Sequence, residues 1–229
     1  MKMPSLHIQK MCSLILLLMT FSVSSEESQL YSTWRSSCSW RVRIALQLKG
    51  IPYDYISLDS VTSDEDYQKL NPLGKVPTLC IDHHVISQSI AILEYLEETR
   101  PFPSLLPKDP YERSQVRQIV QMIGSDIQPL QNSAVLKLFP EGESLQWAQH
   151  WIHKGLKGVE QMLEETAGIY CVGDEVSMAD LFLIPQVGNA HRYEVDLAPF
   201  PNICRIEKRL QKHSAFQAAH PEVQPDYFQ

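Results

Sequence analysis

The chain has 229 residues, 44% of them hydrophobic, which is enough for two modest domains of ordinary soluble composition. Its formal net charge of −7 argues against nucleic acid as a partner, since a phosphate backbone asks for a basic face. A small acidic substrate, which needs only a local cation or two, stays open. Five cysteines (Cys12, Cys38, Cys80, Cys171, Cys204) form no CxxC pair, and eight histidines show no zinc spacing. Neither a metal site nor a disulfide framework is expected, and a reducing compartment is.

In chain order, Lys2, His7 and Lys10 precede an apolar run from Met11 to Phe21, and Val23-Ser24-Ser25 offers small residues for cleavage. This has the three-part form of a secretory signal and is too short to span a membrane. An alternative first exon joined to a cytosolic protein is the other reading. Either way, residues 1–25 stand outside the fold.

Leu30 to Trp34 reads as a short strand. A helix follows from about Ser37 to Lys49, with Val42, Ala45, Leu46 and Lys49 at i, i+3, i+4 and i+7 and Gly50 as its stop. Ser36, Ser37 and Cys38 therefore lie at a helix N-terminus. Free amides and the positive end of the helix dipole favour an anion there, such as a thiolate or carboxylate. A plain N-cap serine accounts for the same residues.

Tyr53 to Leu58 alternates as a strand, Asp59 to Asp66 is loop-like, and a short helix leads to Leu70. Asn71-Pro72-Leu73-Gly74 is a turn. Val76 to Ile81 is a strand that begins with Pro77, Asp82-His83-His84 turns the chain, and Val85-Ile86 returns it. Gln88-Ser89 opens a helix with the stripe Ile92, Leu93, Leu96. The pattern β-α-β then β-β-α gives a four-stranded α/β layer. Pro101, Pro103, Pro107 and Pro110 mark a linker, which separates a domain of residues 26–105 from one of residues 110–229.

The second domain reads as helices only. Val116 to Leu130 keeps the helical period, with a kink at Pro129. A second long helix carries Trp147, Trp151, Leu156, Val159 and Leu163 and ends near Gly168. Ser177-Met178-Ala179-Asp180 is a capping box in its acidic variant, and it opens a helix apolar nearly all round, the expected buried centre. Pro201 to Leu210 supplies another helix. The tail from His220 is expected to be irregular.

The run Ser36-Ser37-Cys38-Ser39-Trp40-Arg41-Val42-Arg43 resembles the signature of the zeta-class glutathione transferases, the maleylacetoacetate isomerases. Asn71-Pro72 with Val76-Pro77, Gln88-Ser89, Gln128-Pro129-Leu130-Gln131-Asn132, Tyr170 to Asp174, Ser177 to Asp180 and Pro185 to Ala190 extend the likeness over nearly all of the chain from Leu30 to Asp226. The resemblance implies a thioredoxin-like α/β domain plus an all-α domain (the glutathione transferase architecture), a homodimer, and a cis bond before Pro77.

The resemblance also implies glutathione as cofactor. It would be held by Ser36, Ser37, Cys38, Ser39, Trp40, Arg41, Val76, Gln88 and Ser89, with Gln128, Asn132, Ser133 and Ala134 approaching from the helical domain or the partner subunit. Ser36 is the first choice to activate the thiol, with Ser37 and Cys38 close behind. The implied reaction is isomerisation of maleylacetoacetate to fumarylacetoacetate in tyrosine and phenylalanine breakdown, with transfer to small α-halo acids. Arg35 and Arg192 are the candidates to meet an acidic electrophile. No nucleic acid or membrane span is implied, and the location is cytoplasmic or mitochondrial unless the leader is a true signal.

Two departures from the family pattern stand out: a shorter loop between Leu58 and Tyr67, and polar residues Glu26 to Gln29 where the first strand starts. Two other readings compete. Cys38 could be a monothiol redox nucleophile, although Arg41 holds the place of a second cysteine. The domain could also bind glutathione without turnover.

Overall fold

The computed structural model describes residues 28–58, 64–140 and 142–227. The leader of residues 1–25 and the middle of the short loop, residues 59–63, lie outside the described residues. The sheet has four strands in the order β2-β1-β3-β4. Central β1 (Gln29–Ser32) pairs in parallel with β2 (Asp54–Ser57) and antiparallel with β3 (Thr78–Ile81), which pairs with β4 (His84–Ser87). Helix α1 (Ser37–Leu48) makes the crossover, α2 (Asp64–Leu70) precedes β3, and α3 (Ser89–Thr99) follows β4. The β-α-β then β-β-α reading holds.

Strand ends differ from expectation for identifiable reasons. β1 stops at Ser32 because the next polar groups are taken by side chains: the Arg43 guanidinium donates to the carbonyls of Thr33 and Trp34, and the Trp34 N–H donates to Asp226. β3 starts at Thr78 because Pro77, after the cis Val76–Pro77 bond, has no N–H for a ladder. Glu26 and Glu27 lie outside the described residues, and Gln29 pairs with both Asp54 and Cys80. Asp82 (φ 52°) and His83 (φ 61°) form the two-residue turn between β3 and β4, and two positive φ values suit the twist of a tight hairpin.

Helix α4 (Pro110–Gln121) begins under an Asp109 cap. The single helix expected to reach Leu130 is three pieces: α4, a π-helical stretch Met122–Ile127, and a 3-10 turn Gln128–Gln131. Pro129 lacks the N–H that an α-helix would need there. Helices α5 (Ser133–Leu136), α6 (Glu143–Thr166), α7 (Met178–Arg192), α8 (Pro201–Leu210) and α9 (Ser214–Ala218) complete the helical region.

Helix α7 is the buried centre, with eleven of its fifteen residues buried. Its start is fixed by Asp180, which accepts from the Ser177 N–H, the Ser177 hydroxyl and the Cys171 N–H. Burial pushes the Asp180 carboxyl above its usual range.

The α/β layer sits on α7 through α1. The Arg41 guanidinium lies 4.0 Å from the centre of the Phe182 ring. Trp40 packs over Gly188, where a Cβ would come within 2.7 Å of the indole. The tail is not loose. After a 3-10 turn (Pro221–Val223) it runs back against β1 and β2, and Asp226 is only 1% exposed.

Candidate active site at the start of α1

Ser36 is the N-cap of α1, in extended conformation (φ −73°, ψ 113°), and its Oγ accepts the Ser39 N–H at 3.1 Å. Accepting that bond leaves the hydroxyl proton free to donate. The amides of Ser37 and Cys38 are in the first turn, where a helix offers them no acceptor. No acidic side chain occupies that turn, so the positive end of the dipole is not neutralised from within. Ser36 and Cys38 are half-buried, Ser37 and Ser39 buried.

A second helix start is tied to the first. Arg41 Nη1 donates to Ser89 Oγ, the first residue of α3, at 3.2 Å. Gln88 just before it is exposed at φ 73°, and α3 also has no acid in its first turn. Arg41 is 2% exposed, and burial lowers its pKa while Cys38 pulls the other way. A buried cation of α1 thus ties that helix to the start of α3. That donor set fits an anionic peptide carrying a thiol: amides and hydroxyls for a thiolate at α1, and the α3 start for a carboxylate.

The remaining predicted residues fall as follows. Val76 is half-buried at the cis bond, and Trp40 lies in the contact between layers, its ring edge-on to His220 at 5.2 Å. Asn132 caps α5 by accepting the Ala134 N–H at 3.0 Å, which makes Asn132, Ser133 and Ala134 a third helix start, one turn beyond Gln128. Arg35, exposed, lies over Trp34 at 5.7 Å and is the cation next to Ser36 in the chain. Arg192, exposed at the last turn of α7, lies beside its neighbour Tyr193 at 5.6 Å. A cavity of about 290 Å³ lined by Trp40, Ile184, Gly188, His191, Phe216 and His220 is separate from Ser36, Ser37 and Cys38.

Reading the sequence missed what holds this region. Arg41, an expected ligand contact, is also a buried tie between α1, α3 and α7. Arg43, fully buried, and Asp226 were not singled out. The one local signal was a pair of arginines spaced through an otherwise apolar helix, where both cannot reach solvent.

The chain also resembles known proteins over most of its length. Residues 35–99 match the family described as glutathione S-transferase, N-terminal domain. The maleylacetoacetate isomerase of Mus musculus is 54% identical over 202 residues, covering 86% of this chain and 94% of that protein. A solved maleylacetoacetate isomerase from Anaeromyxobacter dehalogenans 2CP-1, with GSH bound in the active site, is 40% identical with a TM-score of 0.80, covering 88% of this chain and 98% of that one. A maleylpyruvate isomerase solved in its holo form, a bacterial glutathione transferase of the zeta class, is 38% identical with a TM-score of 0.82, covering 86% of this chain and 99% of that one. With that likeness spanning almost the whole length of its relatives, and with its anion-ready serine at the start of α1, the chain belongs to the zeta-class glutathione transferases, the family of the maleylacetoacetate isomerases.

Proposed function

We propose that this protein is a glutathione-dependent isomerase that converts maleylacetoacetate to fumarylacetoacetate in tyrosine and phenylalanine breakdown, and that it also transfers glutathione to small α-halo acids. The observation that carries the reading is the Ser36 hydroxyl, held at the helix start with its proton free. Glutathione, when bound, supplies a thiolate that adds to the cis double bond, permits rotation and leaves again.

The chain's own residues lower the cost of that thiolate. A thiol of pKa ~8.5 is only a few per cent ionised at pH 7, and a drop of two units needs about 2.7 kcal/mol of preferential stabilisation. One charge-assisted hydrogen bond from Ser36 contributes about 1.5–3 kcal/mol, and the first-turn amides and dipole add to it. Ser89, oriented by Arg41, and Gln88 receive the γ-glutamyl end. The Val76 backbone receives the peptide part, and Gln128 and Asn132 close the site from the helical side. Arg35 and Arg192 supply positive charge to an acidic electrophile.

The same reading places the protein in the cytoplasm as a homodimer. All four described cysteines are free, and among the described residues no helix is long and apolar enough to cross a membrane. Exposed Val85, Phe102 and Tyr111 supply apolar surface for a second copy.

The test is glutathione-dependent cis-to-trans isomerisation of maleylacetoacetate by the full chain. Ser36→Ala is expected to cut kcat/KM at pH 7 by about ten- to a hundredfold, while Cys38→Ala retains turnover. Loss with Cys38→Ala alone would assign the chemistry to the cysteine. Glutathione binding without turnover would leave a binding domain.

A further inference from the structure

The turn that delivers Ser36 is gripped from the far end of the chain. Ser36 N–H donates to Thr33 O at 3.1 Å, closing a turn over Trp34 and Arg35. Both backbone polar groups of Trp34 are taken. Its N–H donates to Asp226 Oδ2 at 3.0 Å, and its carbonyl accepts from Arg43 Nη2 at 3.2 Å. Arg43 Nη1 also donates to Thr33 O at 3.3 Å, the same oxygen that closes the turn, and to Ser32 Oγ at 3.2 Å. Arg43 Nε donates to Ala219 O at 3.1 Å, so one guanidinium spans the turn and the tail.

The carboxylate is itself fixed. Asp226 Oδ1 accepts the Tyr55 hydroxyl at 2.8 Å and Oδ2 accepts Ser57 Oγ at 3.2 Å, both from β2. Tyr227 sets its ring edge-on against Trp34, 4.9 Å between centroids. Gln224 Nε2 anchors the tail by donating to the carbonyls of Ala218 and His220.

From this geometry we infer that Asp226, with Arg43, is a positioning residue for thiol activation: the C-terminal strap holds the Thr33–Ser36 turn so that the Ser36 hydroxyl meets the thiol. The inference rests on the role given to Ser36 above. Asp226 acts through two hydrogen bonds at the two ends of the Thr33–Trp34 peptide group, and it does not touch the ligand. Such a grip matters because the serine's contribution is directional: a hydroxyl displaced by about 1 Å loses on the order of a hundredfold in rate. A purely structural strap would instead change stability and leave the thiol as it was.

The deciding measurement is the pH titration of glutathione bound to the full chain, followed by the ultraviolet absorbance of its thiolate. Asp226→Asn, which keeps the shape and loses the charge, is expected to raise the bound thiol's pKa by about one unit, roughly tenfold less thiolate below it, with the KM for glutathione little changed. Asp226→Glu is expected to restore part of the shift. Val159→Ala, a core truncation in α6, serves as a control of reduced stability and is expected to leave the thiol unmoved. If Asp226→Asn melts below the assay temperature, Tyr227→Leu, which removes the ring edge against Trp34, is read in the same way.

A thiol pKa unchanged in Asp226→Asn while Ser36→Ala shifts it overturns the inference and spares the Ser36 role. Equal shifts in Asp226→Asn and Val159→Ala also overturn it. No shift in Ser36→Ala overturns the Ser36 role itself.

Discussion

Asp82 shows how a single exposed residue can be both strained and useful. It sits at positive φ in the β3–β4 turn, where its carboxylate takes two bonds from Arg100 (2.7 and 2.6 Å) and one from the Tyr95 hydroxyl (2.7 Å). Those hydrogen bonds, Arg100's first, hold its pKa down at about 2. A depressed carboxylate stabilises the fold above its unfolded pKa of ~3.9, and that gain is lost as pH falls through about 2. With the carboxylate 41% exposed, solvent screening limits the effect to under about 1 kcal/mol. Asp82→Asn is therefore expected to lower the unfolding free energy measured in urea at pH 6 by that small amount, the gap to wild type narrowing from pH 4 downward. A gap that widened in acid would contradict the assignment.

At this scale the sequence was legible where a residue's role is local. A cap at Ser36 or Ser37, which the structure gives to Ser36, and Asp180 in a capping box follow from spacing alone. The partners of Arg41 and Arg43 were not legible: two arginines in a largely apolar helix signal burial, but not the distant groups they meet.

Elements show the same division. Periodicity placed the strands and long helices, yet it carried one helix through to Leu130. The expected kink at Pro129 is a 3-10 turn, and the chain ahead of it loosens to a π-helical stretch that period alone does not reveal. The loosened stretch packs on α6. Gly155 lies against Ile127, and a Cβ there would come within 2.5 Å of the Ile127 side chain, which is itself buried. Gly155→Ala gains up to about 1 kcal/mol in helix propensity and meets an overpacking cost of about 1–3 kcal/mol. A net loss, seen as a melting temperature lower by a few degrees, is expected. A rise would mean that Ile127 yields freely.

The whole molecule is closed by contacts that no local reading supplies. The Arg43–Ala219 and Trp34–Asp226 hydrogen bonds join residues 176 and 192 positions apart, and a tail expected to be irregular is the piece that grips the Thr33–Ser36 turn. The fold class and the serine-rich start of α1 were readable because they rest on neighbours in sequence and on a family likeness. The strap, and the tie from Arg41 to Ser89, depend on tertiary packing and emerged only with the structure.

The central claim is that these parts together lower the pKa of a bound glutathione thiol. Its most direct test is the pH dependence of kcat/KM for glutathione-dependent isomerisation by the full chain. The rate is expected to level off well below pH 8.5, with an apparent pKa about two units under that of the free thiol and a return toward ~8.5 in Ser36→Ala. A wild-type profile that climbs to pH 8.5 just as free glutathione ionises would contradict it.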